Sequence, residues 1–286
     1  MRYGLPYRGS KSTIAEWVVD VLPASHTLVD LFAGGCAVTH CALLSGKFGR
    51  VVANDLNGTP ELFRECIGGG CSGMSSSVTR SEFNEAKHVD PALAILYSFG
   101  NNMDNYLWSK EIEPVKVAAS EMLSAPSMHE RRMAYRKFIK ALSDYLSDGN
   151  HGLTGVERLQ SLERLQSLER SLERLQSAEA FERLSVVRAD YRLIHVPEGA
   201  TVYADIPYRD SSRNDRYGSA FDHEAFEAWL AEVPFPVYVS ESTKPSGCVE
   251  VASRTKLVNM KSSSNRKYRE EGIFVQERFY QGVVSE

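Results

Sequence analysis

Thr27-Leu28-Val29-Asp30-Leu31-Phe32, then Ala33-Gly34-Gly35-Cys36, then a helical stretch from Ala37 to about Ser45, then Val51-Val52-Ala53-Asn54-Asp55, is the passage that decides the fold. The short apolar runs read as strands. Strand, glycine turn, helix, strand and acid, in that order, form the first half of a nucleotide-binding α/β sheet. Glycines at the end of the first strand let the backbone approach a ligand with no side chain in the way. An acid at the tip of the second strand can accept both hydroxyls of a ribose, although an Asn-Asp pair at a strand end also serves simply as a turn former.

The site therefore suits a nucleoside. A G-x-G-x-x-G turn for a pyrophosphate is missing, which disfavours a dinucleotide; a nucleoside carrying no phosphate, such as S-adenosylmethionine, fits better. Upstream, Gly9-Ser10-Lys11-Ser12-Thr13 precedes a helical stretch with apolar Ile14, Trp17, Val18 and Val21 that ends at Pro23. Far downstream, Thr201-Val202-Tyr203-Ala204 reads as another buried strand that ends in Asp205-Ile206-Pro207-Tyr208. A carboxylate, a rigid bend and an aromatic face can hold a flat base by its amino group, but Asp and Pro also end strands in many proteins.

Composition sets bounds on this reading. A chain of 286 residues can bury a full core, as one large domain or as a domain with a smaller one inserted. A net charge of -4 argues against a globally basic nucleic-acid binder while leaving room for a local basic face. No apolar run approaches the roughly 20 residues of a membrane span, and Met1-Arg2-Tyr3-Gly4-Leu5-Pro6 lacks a secretory apolar core, so a cytoplasmic protein is expected. Five cysteines without a CxxC pair suit reduced thiols. Cys66 and Cys71 flank a glycine run, but no second pair of soft ligands accompanies them, and no metal is expected.

Taken in order, Pro6-Tyr7-Arg8-Gly9-Ser10-Lys11, Asp30-Leu31-Phe32-Ala33-Gly34-Gly35, Asn54-Asp55-Leu56-Asn57 and Asp205-Ile206-Pro207-Tyr208 resemble the Dam-type (D12 class) adenine DNA methyltransferases, particularly phage and prophage members. Tyr97-Ser98-Phe99-Gly100-Asn101-Asn102 and Phe221-Asp222-His223-Glu224-Ala225-Phe226 strengthen the likeness. The resemblance implies a Rossmann-like α/β methyltransferase sheet with an inserted, mainly helical target-recognition domain. Residues 1–57 and 185–286 would form the catalytic domain and 58–184 the insertion. The implied activity is methyl transfer from S-adenosylmethionine to N6 of a flipped-out adenine in double-stranded DNA, with no membrane and no obligate protein partner. Protection from restriction and regulation both stay open as roles. A methyltransferase for cytosine N4 or RNA adenine, and a catalytically impaired DNA-binding relic, are the competing readings.

Carried over residue by residue, the resemblance implies that Tyr7 and Lys11 border the cofactor pocket, that Phe32, Ala33, Gly34 and Gly35 form its floor, and that Asp55 holds the ribose. Asp30 and Asp205 are counted with them. Asp205, Ile206, Pro207 and Tyr208 would hold the target adenine: the Asp205 carboxylate accepts one amino hydrogen, the carbonyl of residue 206 accepts the other, and Tyr208 stacks on the base. The sequence departs from the family's Asp-Pro-Pro-Tyr at Ile206 and from its Phe-x-Gly-x-Gly at Cys36. Ile206 supplies the carbonyl as proline would but lacks proline's fixed φ.

DNA must be gripped elsewhere. Arg254-Thr255-Lys256 to Arg269 reads as a hairpin, with strand-like runs Lys256 to Met260 and Gly272 to Tyr280 around a polar basic loop that holds Lys261, Asn265, Arg266, Lys267 and Arg269 as phosphate ligands. The alternative is a solvated loop whose charge Glu270 and Glu271 balance. Arg209, Arg213 and Arg216 form a second basic stretch beside the flipped base. In the middle, Lys110 to Tyr145 is rich in helix formers and carries Arg131, Arg132, Arg136, Lys137 and Lys140, which suits a DNA-facing helix and the outer face of an ordinary one equally. From Val156 to Gln176 a Glu-Arg-Leu-Gln-Ser-Leu unit recurs. A six-residue period turns its leucines about 60° further round a helix at each step, so they form no heptad seam; a tolerated, solvent-exposed insertion is expected.

Overall fold

The computed structural model describes residues 3–7, 9–68, 78–147, 182–207, 221–258 and 267–280. The hexapeptide tract 156–176, Tyr208, Arg209, Arg213, Arg216, Lys261, Asn265 and Arg266 lie outside the described residues. The chain divides into two compact units. One comprises Met1–Gly4, Lys11–Arg64 and Ala178–Glu286, and the other Leu5–Ser10 and Glu65–Ser177.

The first unit is built on seven strands: β1 (Ser25–Asp30), β2 (Phe48–Asn54), β3 (Leu184–Val187), β4 (Thr201–Ala204), β5 (Val237–Glu241), β6 (Cys248–Val258) and β7 (Lys267–Gln276). Their order is β3-β2-β1-β4-β5-β7-β6. Strands β3 to β5 of that row run parallel, while β7 is antiparallel to both of its neighbours. All four residues of β4 and the last four of β1 are buried, which is why both read as short apolar runs with no polar alternation. One apolar cluster gathers Val29, Leu31, Val202, Ala204, Ile206, Phe226, Leu230, Val237, Val239 and Phe274. Helices α1 (Ala15–Val21) and α2 (Ala37–Ser45) fall where the sequence places them. The sequence order reverses between β1 and β4. A switch point of this kind opens a crevice outside the carboxyl ends of the strands.

Two details differ from the sequence expectations. The β6–β7 ladder continues into the charged segment, pairing Arg254 with Glu271 and Thr255 with Glu270, so Lys267 and Arg269 are strand residues and not loop residues. Cross-strand hydrogen bonds need no apolar side chains, and the ladder therefore outruns the apolar pattern. Cys36, Cys41 and Cys248 are buried free thiols, whereas Cys66 is disulfide-bonded, which corrects the expectation of five reduced thiols.

Helix α3 (Thr59–Ile67) runs across the boundary between the units. The second unit holds α4 (Arg80–Ala86), α5 (Pro91–Leu96), α6 (Glu113–Ser124) and α7 (Met128–Ser147). Thr79 and Glu82 form a reciprocal cap on α4, and the Asp90 carboxylate accepts from the Leu93 N–H at 3.0 Å to start α5. A small core of Val78, Phe83, Leu96, Tyr97 and Tyr106 lies beneath them, with the Tyr106 hydroxyl donating to the Val78 carbonyl at 2.6 Å. The helical stretch expected from Lys110 to Tyr145 is two helices. Pro126 forces Ala125 into an extended conformation (ψ 121°), and α6 stops there. On α7 only Ala134 is fully buried; Arg131, Arg132, Arg136, Lys137 and Lys140 are exposed, and Lys137 pairs with Glu121 at 3.1 Å. No helix among the described residues is long and apolar enough to cross a membrane.

Candidate active site

The glycine turn after β1 is held from three sides. The Ala33 N–H donates to the Asn54 carbonyl at 2.8 Å, and the Gly34 N–H donates to Oδ2 of Asp55 at 2.8 Å. Gly34 has φ +47°, the left-handed region that glycine tolerates best. Cys36, where the family pattern has glycine, is also left-handed (φ 58°), which costs a side-chain-bearing residue about 1–2 kcal/mol. On the third side lies Gly4. A Cβ there would sit 2.2 Å from the Gly35 carbonyl oxygen, so only glycine fits, and its N–H donates to Nδ1 of His40 at 2.9 Å. Burial drives the His40 pKa down to about 4, which keeps the ring neutral with its proton on Nε2.

Asp55 follows β2 and is buried, and its carboxyl pKa is raised by desolvation against the pull of its backbone donors. Its Oδ1 accepts from the Asn57 N–H at 3.1 Å. Asp55 thus forms the turn and also ties the glycine loop to β2. Asn54, just before it, bonds the carbonyls of Leu31 and Ala189 through Nδ2 (2.9 and 3.1 Å) and accepts the Ala189 N–H at 3.0 Å. That staple brings the segment after β3 to the ends of β1 and β2.

A cavity of about 240 Å³ opens there, lined by Phe32, Asp55, Asp190, Tyr191, Pro207 and Phe221 among others. Phe32 packs against Tyr191 and Phe221 with ring centroids 5.3 and 5.6 Å apart, giving an aromatic wall. Arg192 hydrogen-bonds Asp190 and holds its carboxyl below the usual range. Asp222 also lines the cavity, and its carboxylate caps α8 (His223–Glu232) by accepting the Ala225 N–H at 2.9 Å.

Beyond β4 the chemistry changes from aromatic to ionic. Asp205 is partly buried, with Oδ1 2.6 Å from Nζ of Lys11. The same ammonium lies 3.0 Å from Oε1 of Glu271, which also accepts the Ser240 hydroxyl at 3.0 Å. Lys11 is 2% exposed and bridges two carboxylates. Ile206 is buried in the sheet's apolar cluster, so packing anchors the turn where the family's proline would fix it covalently. Asp30, at the end of β1, accepts the Thr39 hydroxyl at 2.8 Å. Its other oxygen is buried without a hydrogen-bond partner among the described residues, and desolvation, helped by the charges of Asp205 and Asp55, pushes its pKa up to about 7. Glu241 ends β5 with one buried oxygen unpartnered among the described residues and its pKa raised by desolvation. Tyr7 is partly buried in a turn whose carbonyl accepts the Ser10 N–H at 3.1 Å, in the segment Leu5–Ser10 of the second unit.

The sequence reading gives no site role to Gly4, His40, Tyr191, Glu241 or Glu271, and takes Asn54 and Phe221 only as part of the family likeness. Glu270 and Glu271 read alike as counter-charges to a basic loop. In the strand their side chains alternate, and Glu270 is exposed while Glu271 is buried against Lys11.

A model of the D12 class N6 adenine-specific DNA methyltransferases matches residues 7–279, nearly the whole chain and both ends of this site. The chain belongs to that family. Among curated proteins none matches it. Family membership makes this D12 class protein a methyltransferase that acts on N6 of adenine in DNA with S-adenosylmethionine as donor. The cytosine N4 and RNA readings give way to it. The residues present fit that donor. The described site offers a cavity with an aromatic wall and an acid on one rim, next to a cluster in which Asp30, Asp205, Glu241 and Glu271 outnumber Lys11, and such an excess of buried acid favours a cationic ligand.

Proposed function

We propose that the crevice outside β1, β2 and β4 is where the methyltransferase works, with the cavity holding the adenosine of S-adenosylmethionine and the Asp205 turn holding the target adenine. The observation that carries this is the placement of Asp55, Phe32 and Pro207 around one cavity at the switch point of the sheet. In this reading the aromatic wall of Phe32, Tyr191 and Phe221 packs against the cofactor's adenine, Asp55 accepts from its ribose, and Ala33, Gly34 and Gly35 let the backbone come close. The bound cofactor supplies a methyl group on a sulfonium. Asp205 and the Ile206 carbonyl accept the two hydrogens of the adenine amine, draw its lone pair out of the ring and stabilise the positive charge that develops on nitrogen. Tyr208 stacks on the extruded base.

Residues 58–184 serve target recognition and residues 1–57 and 185–286 serve catalysis in this proposal. Arg132, Arg136 and Lys140 recur every fourth residue along α7, all exposed, and form a row about 12 Å long that suits consecutive phosphates. The basic segments 209–216 and 261–269 add further phosphate contacts. Duplex DNA in the cytoplasm is the substrate.

The test is methyl transfer from labelled S-adenosylmethionine to unmethylated duplex DNA, followed by nucleoside analysis, for the parent and for Asp205→Ala. Losing one preorganised acceptor should slow formation of methyladenine about 100-fold or more while cofactor binding persists. Equal rates in the two proteins would remove Asp205 from the reaction.

A further inference from the structure

We infer that Glu271 is a positioning residue for methyl transfer, acting on Asp205 through Lys11. The inference rests on the role proposed above for Asp205. Its geometric basis is a buried line of polar contacts that starts in β5 and ends at the catalytic turn. The Ser240 hydroxyl donates to Glu271 at 3.0 Å, Glu271 lies 3.0 Å from the Lys11 ammonium, and that ammonium lies 2.6 Å from Asp205. Lys11 and Glu271 side chains are 2% and 3% exposed, so water does little to screen them, whereas Asp205 is 21% exposed and stays accessible at the end of the line.

The chemistry follows from counting charges. A lysine paired with Asp205 alone would neutralise it and blunt it as an acceptor just where positive charge is to appear on the adenine nitrogen. With Glu271 sharing the ammonium, Lys11, Asp205 and Glu271 set two carboxylates against one ammonium, so Asp205 does not have the lysine charge to itself. A tetrahedral ammonium held by two carboxylates is also fixed in place, and it fixes the plane of Asp205 in turn. Both effects are felt most in the transition state, when nitrogen becomes cationic, and least in the binding of a neutral adenine. Ser240 has the supporting part, since its hydroxyl donates to the same Glu271 oxygen that holds the Lys11 ammonium.

Glu271→Gln keeps the shape and the contact with Ser240 but removes the charge. Single-turnover methylation should slow about tenfold, while the dissociation constants for S-adenosylmethionine and duplex DNA stay within about threefold and cofactor binding remains near one per chain. Glu271→Asp, which restores the charge one methylene further away, should recover to within about threefold of the parent. A Gln variant with the parent's rate, or one whose loss lies wholly in cofactor affinity or in the fraction of molecules that bind cofactor, overturns the inference. Should the Gln variant not fold, Ser240→Ala decides: without the hydroxyl that holds Glu271, a fall in single-turnover rate at unchanged cofactor affinity is expected, and no change overturns the inference. Asp205→Ala run alongside separates the two levels. If that variant keeps the parent's rate, the site assignment fails; if it is inactive while Glu271→Gln is fully active, only the part given to Glu271 fails.

Discussion

The acid cluster of the sheet unit and helix α7 of the helical unit handle charge in opposite ways. In the sheet unit Lys11, Asp30, Glu241 and Glu271 are all buried around the partly buried Asp205, whereas in the helical unit Arg131, Arg132, Arg136 and Lys140 stand exposed on α7. A buried charge is tolerated only with a partner or a shifted pKa, so each of the first group constrains its neighbours. An exposed charge constrains almost nothing. The sheet unit should therefore respond steeply to single substitutions at its charges and α7 hardly at all in stability, and three experiments can break or sharpen that contrast.

The steepest response is expected at Lys11. Lys11→Met fills the same volume but leaves Asp205 and Glu271 facing each other with no cation between them. Breaking a buried pair in this way costs about 3–5 kcal/mol, so urea unfolding at pH 7 should show a loss of that order together with loss of methylation. A loss under about 1 kcal/mol at pH 7 would put the site in the same class as an exposed pair and break the contrast.

How far the sequence foretells each region follows from the same physics. The glycine turn, the acid after β2 and the Asp205 turn are legible because each is a local statement: an apolar run must end, a backbone must come close, a carboxylate stands at a strand tip. Glu271 is illegible for the opposite reason. Its partner Lys11 is remote in sequence, and only the pairing of β5 with β7, Ser240 opposite Ile273, turns a residue of a charged loop-like segment inward. Gly4 and His40 join by a contact across 36 positions, and no periodicity announces it. Tyr191 comes from a segment after β3 that carries no pattern of its own, and Phe221 is legible as part of a family motif but not as a wall of the cavity. For α7 the sequence gives both the helix and its cations, but an exposed cation reads the same whether or not it meets a phosphate.

A smaller and pH-dependent effect is expected at Asp30. Its folded pKa of about 7 lies above the ordinary 3.8, so its share of stability is fully present below about pH 4 and is lost as pH rises through 7. Asp30→Asn can still accept from Thr39 and has no charge to bury. It should leave stability at pH 4 nearly unchanged and raise it at pH 8 by about 1–3 kcal/mol, read from paired urea titrations. Binding of a cationic cofactor should meanwhile weaken, since one of the acids around the site is gone. The same stability difference at both pH values would mean that Asp30 is not the titrating group.

The smallest effect on folding belongs to α7, and there the useful measurement is DNA affinity against salt. Replacing Arg132, Arg136 and Lys140 with Gln removes three exposed cations from a helix whose packing face they do not share, so each change should alter stability by less than about 0.5 kcal/mol. If the row lies along a DNA strand, it accounts for about three released counterions, and the slope of log K against log salt should become shallower by roughly 0.9 for each. Affinity for unrelated duplexes should fall in parallel with affinity for the target, because phosphates carry no base identity. Lys137 is the internal control. It sits on the same helix but is paired with Glu121, and Lys137→Gln should leave the slope where it was. A slope unchanged by the triple substitution would make the row a solvated face and leave the grip on DNA to the basic segments at 209–216 and 261–269. A shallower slope at unchanged stability would show that α7 spends its charge on the substrate, whereas the sheet unit spends its own on holding Asp205.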